Sequence, residues 1–347
     1  MTTTPPVSSQ RRHRLIRGLV LWVPGLLLLA GLVAVVLRLG ELERFGELVA
    51  QAHPLWLLAG CGLQAATYVC AGGVWYLALD RAGSHRPLAA MIPLSLAKLF
   101  TDQAVPLGGI SGTILVVHAL SRRGIPSRVA MAALLVGLVS YYGAYLAAVL
   151  AAIAVLAIEY TVNVAIIGAA ALFSLIAVGI PAFVLLVVRR AGTRFDKYLA
   201  RIPGAKSLLS MIADAPSDLL RDPTLVGATA LLQLAVFLLD AATLAVVLAA
   251  IGSDGTNLPG VFASFMIASV AATVGPTPLG LGTFETVCVA TLALVGVRLE
   301  AALTATLLLR GLTFWLPMLP GLWIARRELR QDHGARPPTP SHETTAQ

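Results

Sequence analysis

Charge is what this sequence has least of. Asp, Glu, Lys and Arg together make up 12% of its 347 residues, against about a quarter in a soluble domain. Hydrophobic residues make up 58%, and the mean hydropathy is +0.85. Such a chain is neither disordered nor fibrous, and it has too few polar side chains to coat an ordinary soluble enzyme. Cysteine is nearly missing as well. Cys61, Cys70 and Cys288 all lie in apolar stretches and form no CxxC pair, so neither a disulfide framework nor a thiolate metal site is expected. The six histidines are scattered without ligand spacing, which excludes a recognisable metal centre, and no cofactor is expected. The nucleophile elbow, the HExxH helix, the P-loop and the dinucleotide fingerprint are all lacking, so the chain is not expected to be an enzyme. Lysine is confined to Lys98, Lys197 and Lys206, so arginine supplies nearly all of the positive charge. The net charge of +8 would hint at nucleic acid in a soluble protein. Here no basic helix or aromatic-basic platform accompanies it, and nucleic acid is not an expected partner.

What is present is a series of long apolar runs with arginine between them, the pattern of a multi-pass membrane protein. Spans are expected at about 18–37, 55–79, 129–157, 164–188, 225–251 and 301–325. Two further apolar stretches are broken at their centres. Residues 88–120 contain Pro106-Leu107-Gly108-Gly109-Ile110-Ser111-Gly112, and residues 260–297 contain Pro276-Thr277-Pro278-Leu279-Gly280-Leu281-Gly282.

Charge counting orients the pieces. Loop 38–54 is acidic and suits the outside, whereas loop 80–87 is basic and suits the inside. A single crossing by 88–120 would put Arg122, Arg123 and Arg128 outside, against that rule. A re-entrant hairpin that enters and leaves on the inside removes the conflict. The same bookkeeping brings 260–297 in from the outside. Residues 189–224 carry seven basic and four acidic residues and suit the inside, with an interfacial helix or a loop at 194–220. The expected fold is therefore an all-α integral membrane protein. It is a polytopic helical bundle of two inverted halves, each with three spans and one Gly/Pro-broken re-entrant hairpin. Residues 1–17 form a basic cytoplasmic tail and 18–326 the transmembrane domain, with halves at about 18–157 and 158–326. Residues 327–347 form a disordered cytoplasmic tail. Inverted repeats with discontinuous helices that meet near the midplane are a transporter design.

Ionisable residues inside apolar runs are costly and mark candidate sites. Lys98 and Asp102 stand four apart on one helix face, where they either receive an anionic headgroup or merely neutralise each other. Glu285 follows the second glycine break, where it caps the half-helix and can also read a cationic group or a proton. Arg310 requires a partner, and Asp240 and Glu285 are the candidates for that ion pair. Gly108, Gly109, Gly112, Gly280 and Gly282 leave backbone amides open at half-helix ends, a setting for anions. Arg122 and Arg123 either anchor the topology or gather anionic headgroups. Tyr68, Tyr141, Tyr142 and Tyr145 either line a cavity or pack in the core.

Two segments carry a family resemblance. One is Thr277-Pro278-Leu279-Gly280-Leu281-Gly282-Thr283-Phe284-Glu285, followed by Leu309-Arg310-Gly311 and Trp315-Leu316-Pro317-Met318-Leu319-Pro320-Gly321. The other is Gly108-Gly109 with Ser121-Arg122-Arg123-Gly124. Over about residues 18–326 the chain resembles the lysylphosphatidylglycerol synthase transmembrane-region family, also described as flippase-like or UPF0104 proteins. The resemblance implies an eight-segment membrane domain that moves lipids, such as aminoacylated phosphatidylglycerol, between leaflets. The chain departs from the family at Leu279, where glycine is frequent. It also lacks an evident Glu-Arg pair around Gly137–Tyr142. No synthase domain follows the last span in this sequence, so lipid aminoacylation is not expected. The reading is a lipid translocase of the bacterial cytoplasmic membrane with both termini cytoplasmic, and with an anionic or aminoacylated lipid as partner. The alternative is a non-transporting accessory protein for enzymes that modify lipids or glycan-lipids.

Overall fold

The computed structural model describes residues 52–104, 110–159, 217–253, 257–275 and 277–330, with single positions at 168, 179 and 182. The expected spans at 18–37 and 164–188, and the glycines Gly108 and Gly109, lie outside the described residues or are represented there only by isolated positions. All described elements are helical. In chain order they are α1 (Pro54–Arg81), α2 (Leu88–Ala104), α3 (Ile110–Arg122), α4 (Ser127–Glu159) and α5 (Ser217–Arg221). Then come α6 (Pro223–Ala250), α7 (Leu258–Val274), α8 (Thr283–Leu294), α9 (Leu299–Arg310) and α10 (Leu316–Arg330).

The boundaries follow local chemistry. Helix α6 starts where the Asp222 carboxylate accepts from the Thr224 and Leu225 amides and Pro223 occupies the first turn. Helix α1 also starts on a proline and stops where Gly83 turns with φ +71°. Helices α9 and α10 are joined by a π-helical turn at Gly311–Trp315, so the last expected span is an interrupted one. Helix α10 runs to Arg330. Glu328 is held by Arg123 at 2.5 Å, and this contact fastens the final turn of the helix to the bundle.

Four helical stretches are long and apolar enough to cross a membrane: Pro54–Arg81, Ser127–Ile158, Pro223–Ala250 and Leu299–Glu328. The protein is a multi-pass membrane protein with an all-α fold. Each of the two broken stretches is a pair of short helices, α2 with α3 and α7 with α8. At 1.5 Å per residue these run about 18–26 Å, short of a hydrocarbon core about 30 Å thick.

Contacts at the helix ends locate the two pairs. On one face Arg81 meets Asp222 at 2.6 Å, so the end of α1 adjoins the start of α6. On that same face the Arg86 guanidinium donates to the Arg123 carbonyl, so the chain just before α2 touches the residue after α3. On the other face the His53 amide donates to the Ala250 carbonyl at 2.8 Å, which joins the start of α1 to the end of α6. The start of α7 lies against the chain just after α8 there, since a Cβ on Gly260 would stand 3.3 Å from Val295. The start of the first pair thus lies near its end, and so does the start of the second.

Among the described residues two large apolar cores hold the bundle, with a small third one at Ala97, Leu115 and Ala325. One gathers α4, α6, α7, α8 and α9 around Tyr145, Leu244, Met266 and Leu292. The other gathers α1 to α4 around Leu79, Met91, Leu120 and Val136. Large apolar side chains such as Leu231, Ile158 and Leu319 point outward, as a lipid-facing surface requires.

Candidate functional site

A cavity of about 640 Å³ opens between the two cores. Its walls come from α1, α2, α4 and α6, together with Thr113 and Thr313. Among the described residues three charged side chains line it: Lys98, Asp102 and Asp240. They come from two separate stretches of chain, and the fold brings them to one space.

Lys98 and Asp102 form the expected pair, with Nζ 2.6 Å from Oδ2. The carboxylate is also the cap of the following helix. Its Oδ1 accepts the Gly112 amide at 2.8 Å and the Ser111 hydroxyl at 3.3 Å. Asp102 therefore satisfies the orphan donors where α3 begins. Gly112 is required for this approach, because a Cβ there would sit 2.6 Å from Oδ1. The pair is self-neutralising, and it lines the cavity with side chains 30% and 20% exposed.

The second break is built with the same parts and buried deeper. The Glu285 Oε2 accepts the Gly282 amide at 2.6 Å, which caps α8, and Oε1 accepts from Arg310 Nε at 2.8 Å. Arg310 also reaches the Gly280 carbonyl at 3.4 Å and stands 4.2 Å over the Phe284 ring. Glu285 is 2% exposed and neither member of this pair lines the cavity. The turn before it is tight. Leu279 and Gly280 have φ +60° and +66°, and a Cβ on Gly280 would come 2.3 Å from Ala272. Gly282 is likewise left-handed at φ +82°.

Asp240 was a candidate partner of Arg310, and the structure separates them. Arg310 takes Glu285, while Asp240 accepts from Gln64 Nε2 at 2.9 Å across the α1–α6 contact. Arg122 and Arg123 both have protein partners. Arg123 holds both oxygens of Glu328, at 2.5 and 3.2 Å, and Arg122 donates to the Glu328 carbonyl at 2.9 Å. They clamp the end of the first pair to the last helix.

Tyr68, Tyr141 and Tyr142 line the cavity, whereas the Tyr145 hydroxyl bonds Ser269 at 2.7 Å across the α4–α7 contact. Gln64, Gln233 and Trp75 are wall residues that the sequence reading passed over. An amide in mid-span is a readable signal, because it must find a partner in hydrocarbon. Gln64 finds Asp240, and also Thr243 at 3.0 Å.

Every residue of the two capped breaks and of the cavity falls within the stretch matched by a known family. The family model described as "Lysylphosphatidylglycerol synthase TM region" matches residues 22–321. The chain belongs to this family. No curated protein matches it. The lysylphosphatidylglycerol synthase TM-region family is one of membrane proteins related to lipid modification or transport, and a membrane lipid is the corresponding partner. Within this family member the match includes Lys98, Asp102, Asp240, Glu285 and Arg310 and stops short of Glu328. The Arg123–Glu328 clamp thus joins a residue inside the match to one beyond it.

Proposed function

We propose that the chain is a flippase-like translocase that passes a polar lipid headgroup between the leaflets of a bacterial cytoplasmic membrane, with the basic helix ends cytoplasmic. It carries out no covalent chemistry. The two short-helix pairs are re-entrant hairpins from opposite faces, and the two halves of the bundle are inverted copies. The observation that carries this reading is the cavity with Lys98, Asp102 and Asp240 in its walls. Asp240 and Gln64 stand in the middle of their spans. A polar space at that depth is costly in a merely structural bundle and useful to a headgroup in transit.

The headgroup, anionic or aminoacylated, occupies the cavity while the acyl chains remain in the bilayer. Lys98 meets its phosphate. The Asp102 carboxylate holds the Lys98 ammonium in place beforehand and keeps the tip of the first hairpin closed. The Glu285–Arg310 pair fixes the tip of the second hairpin and supplies a rigid floor. No nucleotide-binding motif accompanies the cavity, so movement follows a lipid or ion gradient.

The test is transfer of labelled anionic, zwitterionic and lysyl-modified lipids in proteoliposomes by wild type, Lys98→Ala and Glu285→Gln. Transfer by the wild type that falls at least tenfold in Lys98→Ala, with an unchanged melting curve, is expected. A folded wild type that moves none of the three, with and without an imposed ion gradient, refutes the proposal and favours an accessory protein. A change in a lipid's mass favours an enzyme.

A further inference from the structure

The last span is one helical stretch with two sets of partners. Its α9 arm holds the second short-helix pair: Arg310 donates to Glu285 at 2.8 Å and to the Gly280 carbonyl at 3.4 Å. Its α10 arm holds the first pair. A Cβ on Gly321 would come 2.7 Å from the Phe100 Cβ and 2.9 Å from the Leu96 carbonyl oxygen, so α10 lies directly on α2. Ala325 packs with Ala97 of α2 and Leu115 of α3. Glu328 then takes Arg123, just beyond α3.

Glu328 lies eighteen residues after Arg310, and Gly321 eleven. At about 3.6 residues per turn these are nearly whole turns, so an unbroken α-helix would aim all three residues one way. The π turn at Gly311–Trp315 prevents that. There the Leu316 amide reaches back five residues to the Gly311 carbonyl. One residue more than an α turn holds swings α10 by about 100° relative to α9. The two arms can therefore face different neighbours. The turn is also short of rungs, because Pro317 and Pro320 have no N–H to donate back along the helix. It adjoins the cavity, which Thr313 helps to line. Leu312 lies against α1, 3.1 Å from where a Cβ on Gly60 would stand.

We propose that the last span is a linkage between the two short-helix pairs, with the π turn as its joint beside the cavity. A shift of either pair is passed to the other through α9 and α10, so neither moves alone. A π-bulge and prolines are the features at which a helix bends, and here they stand together between two firmly held arms. The linkage does not depend on the translocase reading, which would give it lipid movement as its use.

The test is hydrogen–deuterium exchange on the detergent-solubilised full chain, read by mass spectrometry at both pairs. Glu328→Ala cuts the Arg123 contact that ties α10 to the first pair. It is expected to speed exchange at the start of α8 about fivefold or more, the lower end of coupling between distant sites, while the middle of α6 keeps its rate. Asp222→Asn, which weakens the Arg81 contact away from the linkage, should leave the start of α8 unchanged. An effect of Glu328→Ala confined to the first pair overturns the linkage. So does equal acceleration at the start of α8 and in the middle of α6, which would report general loosening. Should Glu328→Ala fail to fold, Gly321→Ala, which wedges α10 off Leu96 and Phe100, is read the same way. Coupled exchange in a protein that transfers no lipid in proteoliposomes would refute the translocase and leave the linkage standing. Lipid transfer with uncoupled exchange would do the reverse.

Discussion

The Glu285–Arg310 pair gives the sharpest energetic prediction, because both groups are taken from water and hold each other. The Glu285 side chain is 3% exposed and that of Arg310 15%. Removing one partner of such a pair costs about 3–5 kcal/mol, since the other is left as an uncompensated buried charge. In Glu285→Ala the stranded guanidinium keeps the Phe284 ring 4.2 Å away and the distant Gly280 carbonyl. A desolvated cation–π contact returns about 1–2 kcal/mol, so the net loss is expected near 3 kcal/mol. In Arg310→Met the carboxylate keeps the Gly282 amide, and the loss is again about 3 kcal/mol. In the double variant no charge is stranded, and what remains is a lost helix cap worth about 0.5–2 kcal/mol. The double variant should therefore be more stable than either single one. The assay is equilibrium unfolding in mixed micelles for all four proteins of the cycle. Losses that add to about 6 kcal/mol, within the roughly 0.5 kcal/mol of independent sites, would refute the argument. They would mean that water reaches the pair in the folded state.

Three further outcomes follow from neighbouring contacts. Gly112→Ala should lower the melting temperature and weaken lipid transfer together, because a Cβ 2.6 Å from Asp102 Oδ1 forces the carboxylate off the α3 amides; an unchanged melting curve counts against it. Leu279→Gly should be neutral or stabilising by up to about 1 kcal/mol, since a non-glycine residue at φ +60° is strained, whereas Gly280→Ala should destabilise strongly in the same unfolding assay. Asp222 is held down to about 2 by the Thr224 hydroxyl, the α6 amides and Arg81. A carboxyl depressed in the folded state stabilises fully above its unfolded value near 4, and that contribution fades as pH falls toward 2. The melting-temperature gap between wild type and Asp222→Ala should accordingly be constant above pH 5 and narrow below pH 4.

Much of the fold is written in the periodicity of apolar and basic residues. The spans at 55–79, 129–157 and 225–251 match α1, α4 and α6 because uninterrupted hydrophobicity of that length has one stable solution in a bilayer. The breaks at 88–120 and 260–297 were legible because proline and glycine punctuate them. The end of α10 was not, because it rests on a long-range contact between Arg123 and Glu328 that hydropathy does not report. At the site, Lys98 with Asp102 could be paired from i,i+4 spacing alone. The choice between Asp240 and Glu285 for Arg310 could not, because it depends on how α9 lies against α8. Gln64 was hidden by its neutrality, although its position in mid-span was a signal.

The two breaks solve one physical problem with the same chemistry and different exposure, and that difference decides which of them can act. Breaking a helix in hydrocarbon frees amide donors that have no water to turn to. Asp102 and Glu285 each take such an amide, and each then needs a cation to remain charged there. At the second break both members are sealed, so exchanging the Arg310 partner for a lipid phosphate would strand Glu285. At the first break the pair is at the cavity surface, and a phosphate arriving at Lys98 leaves Asp102 still bonded to Ser111 and the Gly112 amide. The first pair can share its cation with a ligand at little cost, while the second cannot. Substituting Lys98 by alanine should therefore impair lipid movement more than folding, and substituting Arg310 should impair folding first. A Lys98→Ala protein that unfolds as readily as Arg310→Met would show that the first pair, too, is only a brace.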